Sequence, residues 1–142
     1  MIRAFIDSSV IFSASYSGHG YSRDIILLAI RGELQLVISK LVLAETALNL
    51  EKEGSYLVNL LGLIVENIPF EYVHPTKKEV LLASKYVLLK DAAIVAAAKK
   101  AKVDYLITLD KKHLLGKPNI ARFIGADIVT PKEAVGRLKR GN

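Results

Sequence analysis

Five short runs rich in β-branched and aromatic residues, IRAFI (2–6), LQLVI (34–38), FEYV (70–73), DYLITL (104–109) and DIVT (127–130), alternate with longer segments of helical character. That alternation restricts the fold more than any other feature. A strand separated from the next by a helix joins a sheet as a parallel neighbour, and a parallel sheet needs helices over both faces. The expected fold class is therefore α/β, with a central, mainly parallel sheet between two helical layers.

The helical segments carry boundary signals of their own. SRDIILLAIRG has Ser22 as N-cap and Gly32 as stop, and Ser39 caps KLVLAETALNLEKEG, which runs out at Gly54. SYLVNLLGLIVEN (55–67) follows as a further apolar helix. Thr76 with Glu79, and Thr130 with Pro131 and Glu133, have the form of capping boxes, so TKKEVLLASKYVLL and TPKEAVGRLKR start at those threonines. An Ala-rich helix follows Asp91. The Ser/Gly-rich stretch after the first strand and the stretch between DYLITL and DIVT read as loops, which gives the order β-α-β-α-α-β-α-α-β-β-α.

With 142 residues, and no internal repeat, low-complexity tract or Pro/Gly-rich linker, the chain is expected to form a single domain over 1–142. The absence of Cys removes disulfides, thiolate nucleophiles and zinc-thiolate sites. The three histidines, at 19, 74 and 113, stand in unrelated settings and do not suggest a histidine-rich metal site. MIRAFID reaches an acid before any long apolar region, and no apolar run is long enough to span a bilayer, so a cytoplasmic protein without a membrane partner is expected. A net charge of +6 and a pI near 9.5 favour a polyanionic partner, because Lys and Arg that neutralise phosphates gain from counterion release.

Four acids fall where a parallel sheet places its chemistry. Ligands bind beyond the carboxyl ends of the strands, and Asp7 and Asp110 directly follow IRAFI and DYLITL. Glu45 sits inside a helix among Leu41, Val42 and Leu48, and Asp91 opens an otherwise apolar helix. Each acid has a plain structural alternative: an Asx-turn for Asp7 and Asp110, an N-cap for Asp91, the polar edge of a buried helix for Glu45. Taken together, they form a cluster of mutually repelling carboxylates, tolerable only beside a compensating cation. A set of oxygen donors selects a hard ion, Mg²⁺ or Mn²⁺, and suits metal-assisted hydrolysis of a phosphodiester.

Four landmarks stand in order along the whole chain: FIDSSVIF, LVLAETALNL, KDAAIVAAAKKAKVDYLITLD and IVTPKEAV. In these the sequence resembles the PIN-domain family, the metal-dependent ribonuclease fold of many bacterial and archaeal toxin–antitoxin toxins. The resemblance implies a Rossmann-like three-layer α-β-α sandwich. It also implies an active site of Asp7, Glu45, Asp91 and Asp110 holding Mg²⁺ or Mn²⁺, an RNA substrate, frequent homodimerisation and a possible antitoxin partner. Ser8, Ser9 and Thr108 match positions where the family commonly has a small hydroxyl or amide residue, and either orient the carboxylates or complete local turns. In LDKKHLL the sequence departs from a common D-x-D-F pattern, with Lys112, His113 and Leu114 where another acid would be expected. Ser9 takes a place that is frequently Asn.

These readings point to a Mg²⁺- or Mn²⁺-dependent ribonuclease acting on single-stranded or loop RNA, with Asp7, Asp91 and Asp110 as ligands and Glu45 binding metal or positioning water. Lys90, Lys111, Lys112 and Lys117 either hold the RNA backbone or are solvated loop lysines. Tyr16 and Tyr21 are candidates for base stacking or for a dimer contact. A dehalogenase-type phosphatase would need Asp where Ser9 stands, and a receiver domain would need an acidic pair after the first strand; neither pattern is present. A PIN-like RNA-binding or assembly module with weak or no catalysis is the alternative, favoured by the missing acid and opposed by the four that remain.

Overall fold

The computed structural model describes residues 1–17 and 20–140. His19 and the end of the chain lie outside the described residues. Among the described residues, five strands form one sheet: β1 (Arg3–Ile6), β2 (Gln35–Ile38), β3 (Glu71–Tyr72), β4 (Tyr105–Ile107) and β5 (Asp127–Val129). Their order is β3-β2-β1-β4-β5, and all four pairings are parallel. In register, Phe5 faces Val37 on one side and Leu106 on the other.

The three inner strands are apolar on both faces. Ala4, Phe5, Ile6, Leu36, Val37, Ile38, Leu106 and Ile107 are all buried, as a sheet covered on both sides requires. The edge strands are only two or three residues long and carry exposed Glu71 and Asp127, which makes them poor templates for further pairing.

Eight helices cover the sheet among the described residues: α1 (Ser8–Tyr16), α2 (Tyr21–Ile30), α3 (Lys40–Glu53), α4 (Ser55–Asn67), α5 (Lys77–Ala83), α6 (Leu89–Ala101), α7 (Pro118–Ile124) and α8 (Pro131–Lys139). Helices α1 to α4 and α8 pack among themselves, as do α5 to α7, so the sheet lies between two helical layers. This is the three-layer α-β-α architecture expected from the alternation of elements. Both capping boxes form, with Thr76 and Thr130 accepting from the backbone of Glu79 and Glu133 while those side chains return the bond.

Several local expectations are corrected. The stretch after β1 is a nine-residue helix, not a loop: Val10, Ile11 and Ala14 bury against the sheet, and Asp7 caps it. Part of the stretch between β4 and β5 is α7, with Pro118 at its first position and Gly125, at φ 80°, ending it. Ser22 lies within α2, buried, and Gly20 occupies the N-cap. Helix α5 stops at Ala83 rather than continuing to Leu89; the Tyr86 ring stacks on Phe123, with centroids 4.3 Å apart, and turns the chain towards α7. On α3 the buried face is Val42, Thr46 and Leu50, whereas Leu41 and Leu48 face solvent.

Lys102 ends α6 in the left-handed conformation, at φ 54° and ψ 48°. The Arg3 guanidinium holds it there, donating to the carbonyls of Ala101 (2.7 Å) and Lys102 (3.2 Å) while also pairing with Glu71. A non-glycine residue in this region costs about 1–2 kcal/mol, and glycine's extra freedom in the unfolded chain returns about 0.4–1 of that. Lys102→Gly is therefore expected to stabilise the protein by about 0.5–1 kcal/mol, read as a higher urea midpoint at unchanged m-value.

Candidate metal centre at the sheet switch point

From β1 the sheet extends through β2 to β3 on one side and through β4 to β5 on the other. The crevice between β1 and β4 is thus the switch point, and helices leave it in opposite directions. Asp7 follows β1 there, and Asp110 lies three residues beyond the end of β4.

Asp7 is 4% exposed and almost fully partnered. Its Oδ1 accepts from the backbone of Ser9 (3.1 Å) and Val10 (3.4 Å) and from Ser9 Oγ (2.5 Å). Its Oδ2 accepts from Thr108 Oγ1. Each hydroxyl also serves as an acceptor, Ser9 Oγ for Leu109 N and Thr108 Oγ1 for Asp110 N. The carboxylate therefore caps α1 and ties β1 to the end of β4. Burial pushes the Asp7 pKa up, opposed by the bonds from Ser9, Thr108 and the backbone of Val10 and Ser9.

Asp91 does not cap α6. Leu88 occupies the cap, and Asp91 is the third helical residue, 7% exposed, with its Oδ2 buried and without a hydrogen-bond partner. Opposite it, Asp110 Oδ1 accepts from the backbone of Lys112 (3.1 Å) and His113 (2.9 Å), the Asx-turn that bends the chain after β4. The turn brings His113 Nδ1 to 3.4 Å from Asp110 Oδ2. One donor atom each from Asp91, Asp110 and His113 lies within 4.8 Å of the others.

Glu45 reaches the same region from α3. Its pKa is raised, first by partial burial and then by the charges of Asp7 and Asp91, with a hydrogen bond from Ser8 acting the other way. Ser8 thus works beside Glu45, while Ser9 and Thr108 work on Asp7.

The lysines divide. Lys111 and Lys112 are exposed in the turn after Asp110, and Lys90 Nζ lies 3.4 Å from His113 Nδ1. Lys117 caps α7 and lines a separate hollow with Asp127 and Arg137. It does not join the acids. Sequence reasoning undervalues His113, which stands inside the cluster; the signal is its place three residues after Asp110, the span over which an Asx-turn folds a chain back.

The donor chemistry fits a divalent cation. A buried carboxylate oxygen with no hydrogen-bond donor is costly, and here it belongs to Asp91, whose charge also acts on Glu45. The Asp110 and His113 donor atoms adjoin it.

The sequence profile of the PIN domain matches residues 4–115, a span containing all four acids. The chain belongs to the PIN domain family. Members of this family are commonly nucleases, and they typically use a divalent metal. Among solved structures, this PIN domain is similar to PAE2754 from Pyrobaculum aerophilum, at 15% identity over 98% of this chain and 96% of that one, with a TM-score of 0.68. It is also similar to a chain of FitAB bound to an IR36 DNA fragment, at 15% identity over 90% and 94% of the two chains, with a TM-score of 0.57. At these identities the likeness concerns the fold. A comparison with curated protein sequences returned no significant match.

The geometry around Asp7 and Glu45 generates two predictions. Replacing Thr108 by Val removes the donor to Asp7 Oδ2 and the acceptor for Asp110 N, at a cost of about 1–3 kcal/mol in chemical denaturation. Because the folded-state pKa values of Asp7 and Glu45 are raised, their contribution to stability is complete below the ordinary carboxyl range and is lost as pH rises through the raised values. The metal-free protein should thus lose melting temperature as pH rises above the ordinary carboxylate range, with a shallower loss in Glu45→Gln.

Proposed function

We propose that this PIN domain is a Mg²⁺- or Mn²⁺-dependent endoribonuclease that cleaves single-stranded or loop RNA. In this reading it is the cytoplasmic toxin of a toxin–antitoxin pair, working as a homodimer. The observation that carries the metal-dependent chemistry is the buried, unpartnered Asp91 Oδ2 at the switch point, beside Asp110 and within electrostatic reach of Glu45. The toxin and dimer assignments rest on the family resemblance.

Asp91 and Asp110 would hold the cation, with Asp7 and Glu45 completing the ligand set. When bound, a divalent cation lowers the pKa of water and draws charge from a phosphate oxygen. The chain supplies the rest. Hydrogen bonds from Ser9 and Thr108 oppose the upward shift that burial gives Asp7, and the turn donors hold Asp110 Oδ1 in place, leaving Oδ2 towards the cluster. Glu45, with its raised pKa, is suited to orient a water and accept its proton. Lys90, Lys111 and Lys112 place positive charge at the rim, where an RNA backbone would pass. Accessible phosphates favour single strands and loops over duplex.

Cleavage of a generic single-stranded RNA in Mn²⁺, by the wild type and by Asp91→Asn, tests this reading. The variant should lose on the order of 10² to 10³ in rate. It should also melt higher than the wild type without metal, since one of the repelling charges is gone. Saturating Mn²⁺, at about 100 times its Kd, should stabilise the wild type by about 2.7 kcal/mol and leave the variant unmoved. A wild type that neither cleaves RNA nor responds to Mn²⁺ would refute the nuclease reading; RNA binding without cleavage would favour the assembly module.

A further inference from the structure

A hollow of about 450 Å³ opens beside the acids, between α1 and α3. It is lined by Ser8, Ser9, Phe12, Asn49, Lys52 and Glu53. Its near end is part of the site, since Ser8 bonds Glu45 and Ser9 bonds Asp7. From there the lining residues recur at helical spacing. Ser8 and Phe12 are one turn apart on α1, while Asn49 and then Lys52 with Glu53 lie one and two turns beyond Glu45 on α3. Seven residues of helix carry the groove about 10 Å from the acids, the length scale of one nucleotide.

The chemistry changes along this length. The Phe12 ring offers an aromatic surface, and Tyr16 stacks on it with centroids 5.7 Å apart and planes inclined by 14°, which fixes its orientation. Lys52 and Glu53 at the far end are both exposed, one cationic and one an acceptor, so this end pairs a contact for the backbone with one for a neutral group that carries hydrogen-bond donors. Asn49 and Glu53 both present side-chain oxygens, and an exocyclic amino group on a nucleobase is the donor such oxygens read.

The geometry points to a base-selective subsite for the nucleotide next to the scissile phosphate: its ring packs on Phe12, its exocyclic amino group is read by Asn49 and Glu53, and Lys52 holds its backbone. This subsite deepens the nuclease reading and rests on it for the position of the cleaved bond. It commits to a preference for amino-bearing bases over uracil.

Oligo(C) and oligo(U) test this directly, since the two pyrimidines differ in carrying an amino group or a carbonyl at the same ring position. The wild type in Mn²⁺ should cleave oligo(C) with a kcat/KM about tenfold above that for oligo(U). Asn49→Ala and Glu53→Ala should bring the ratio near one, and Lys52→Ala should raise KM for both oligomers with little change in kcat. These three side chains are exposed, and the Mn²⁺-induced shift in melting temperature should persist in all three variants, showing that the fold and the metal response are intact. Equal cleavage of both oligomers, or a preference for oligo(C) that survives in both variants, would overturn the subsite while leaving the nuclease reading standing. If neither oligomer is cleaved, fluorescence anisotropy decides. Tighter oligo(C) binding that is lost in Asn49→Ala would keep the groove and refute the nuclease; no binding at all would refute both.

Discussion

The bond between Thr108 Oγ1 and the Asp7 carboxylate holds the site together. Asp7 ends β1 and caps α1; Thr108 follows β4 and orients Asp110 through its backbone N–H. β1 and β4 are the two strands at which the sheet changes direction, and their ladder, continued by the Asp7 N–H donating to the Ile107 carbonyl, brings their ends together. A network of Asp7, Ser9, Thr108, Leu109 and Asp110 fixes the side chains there, with each hydroxyl both donating to the carboxylate and accepting from a backbone N–H. A satisfied buried network of this kind is rigid, because breaking any member strands another in low dielectric. The remaining acids are positioned relative to it.

Those acids divide the work electrostatically. Asp7 carries a burial cost that its hydrogen bonds offset only in part, and its charge still acts on Glu45. Asp91 is nearly as buried but has an oxygen with no partner. Asp110 is half-buried and has one oxygen fixed by the turn. Asp7 is therefore held on both oxygens by the protein's own donors, whereas Asp91 keeps one oxygen without a partner and Asp110 shares one with His113. This ordering could not be derived from residue types, since three of the four are simply Asp.

What was legible in the sequence followed physical signals that act locally. Apolar β-branched runs marked the strands, and the two Thr-x-x-Glu boxes marked helix starts, because both depend on neighbours within a few residues. Helix α1 is hidden because SSVIFSASY is rich in Ser, which competes for backbone hydrogen bonds and reads as loop. In the fold, burial of Val10, Ile11 and Ala14 overrides that preference, and the cap is the very acid assigned to chemistry. Asp91 resembles a cap because it precedes the alanine run, yet the helix extends back to Leu89. His113 reads in sequence as a lone histidine; only the turn built on Asp110 Oδ1 shows that the same acid both gathers the cluster and recruits it.

That turn is also where the sequence departs from the D-x-D-F pattern. A carboxylate at position 112 would add a further negative charge to a site where Asp7 and Asp91 already raise the pKa of Glu45. Lys112 instead places a cation on the exposed side of the turn, and Lys90 stands beside His113 on the other. Leu114, next in the chain, is buried and anchors the turn in the core. In the proposed nuclease, Asp in place of Lys112 would exchange a positive charge for a negative one beside four carboxylates, and the repulsion it added would have to be met by further positive charge; Lys112 removes that demand.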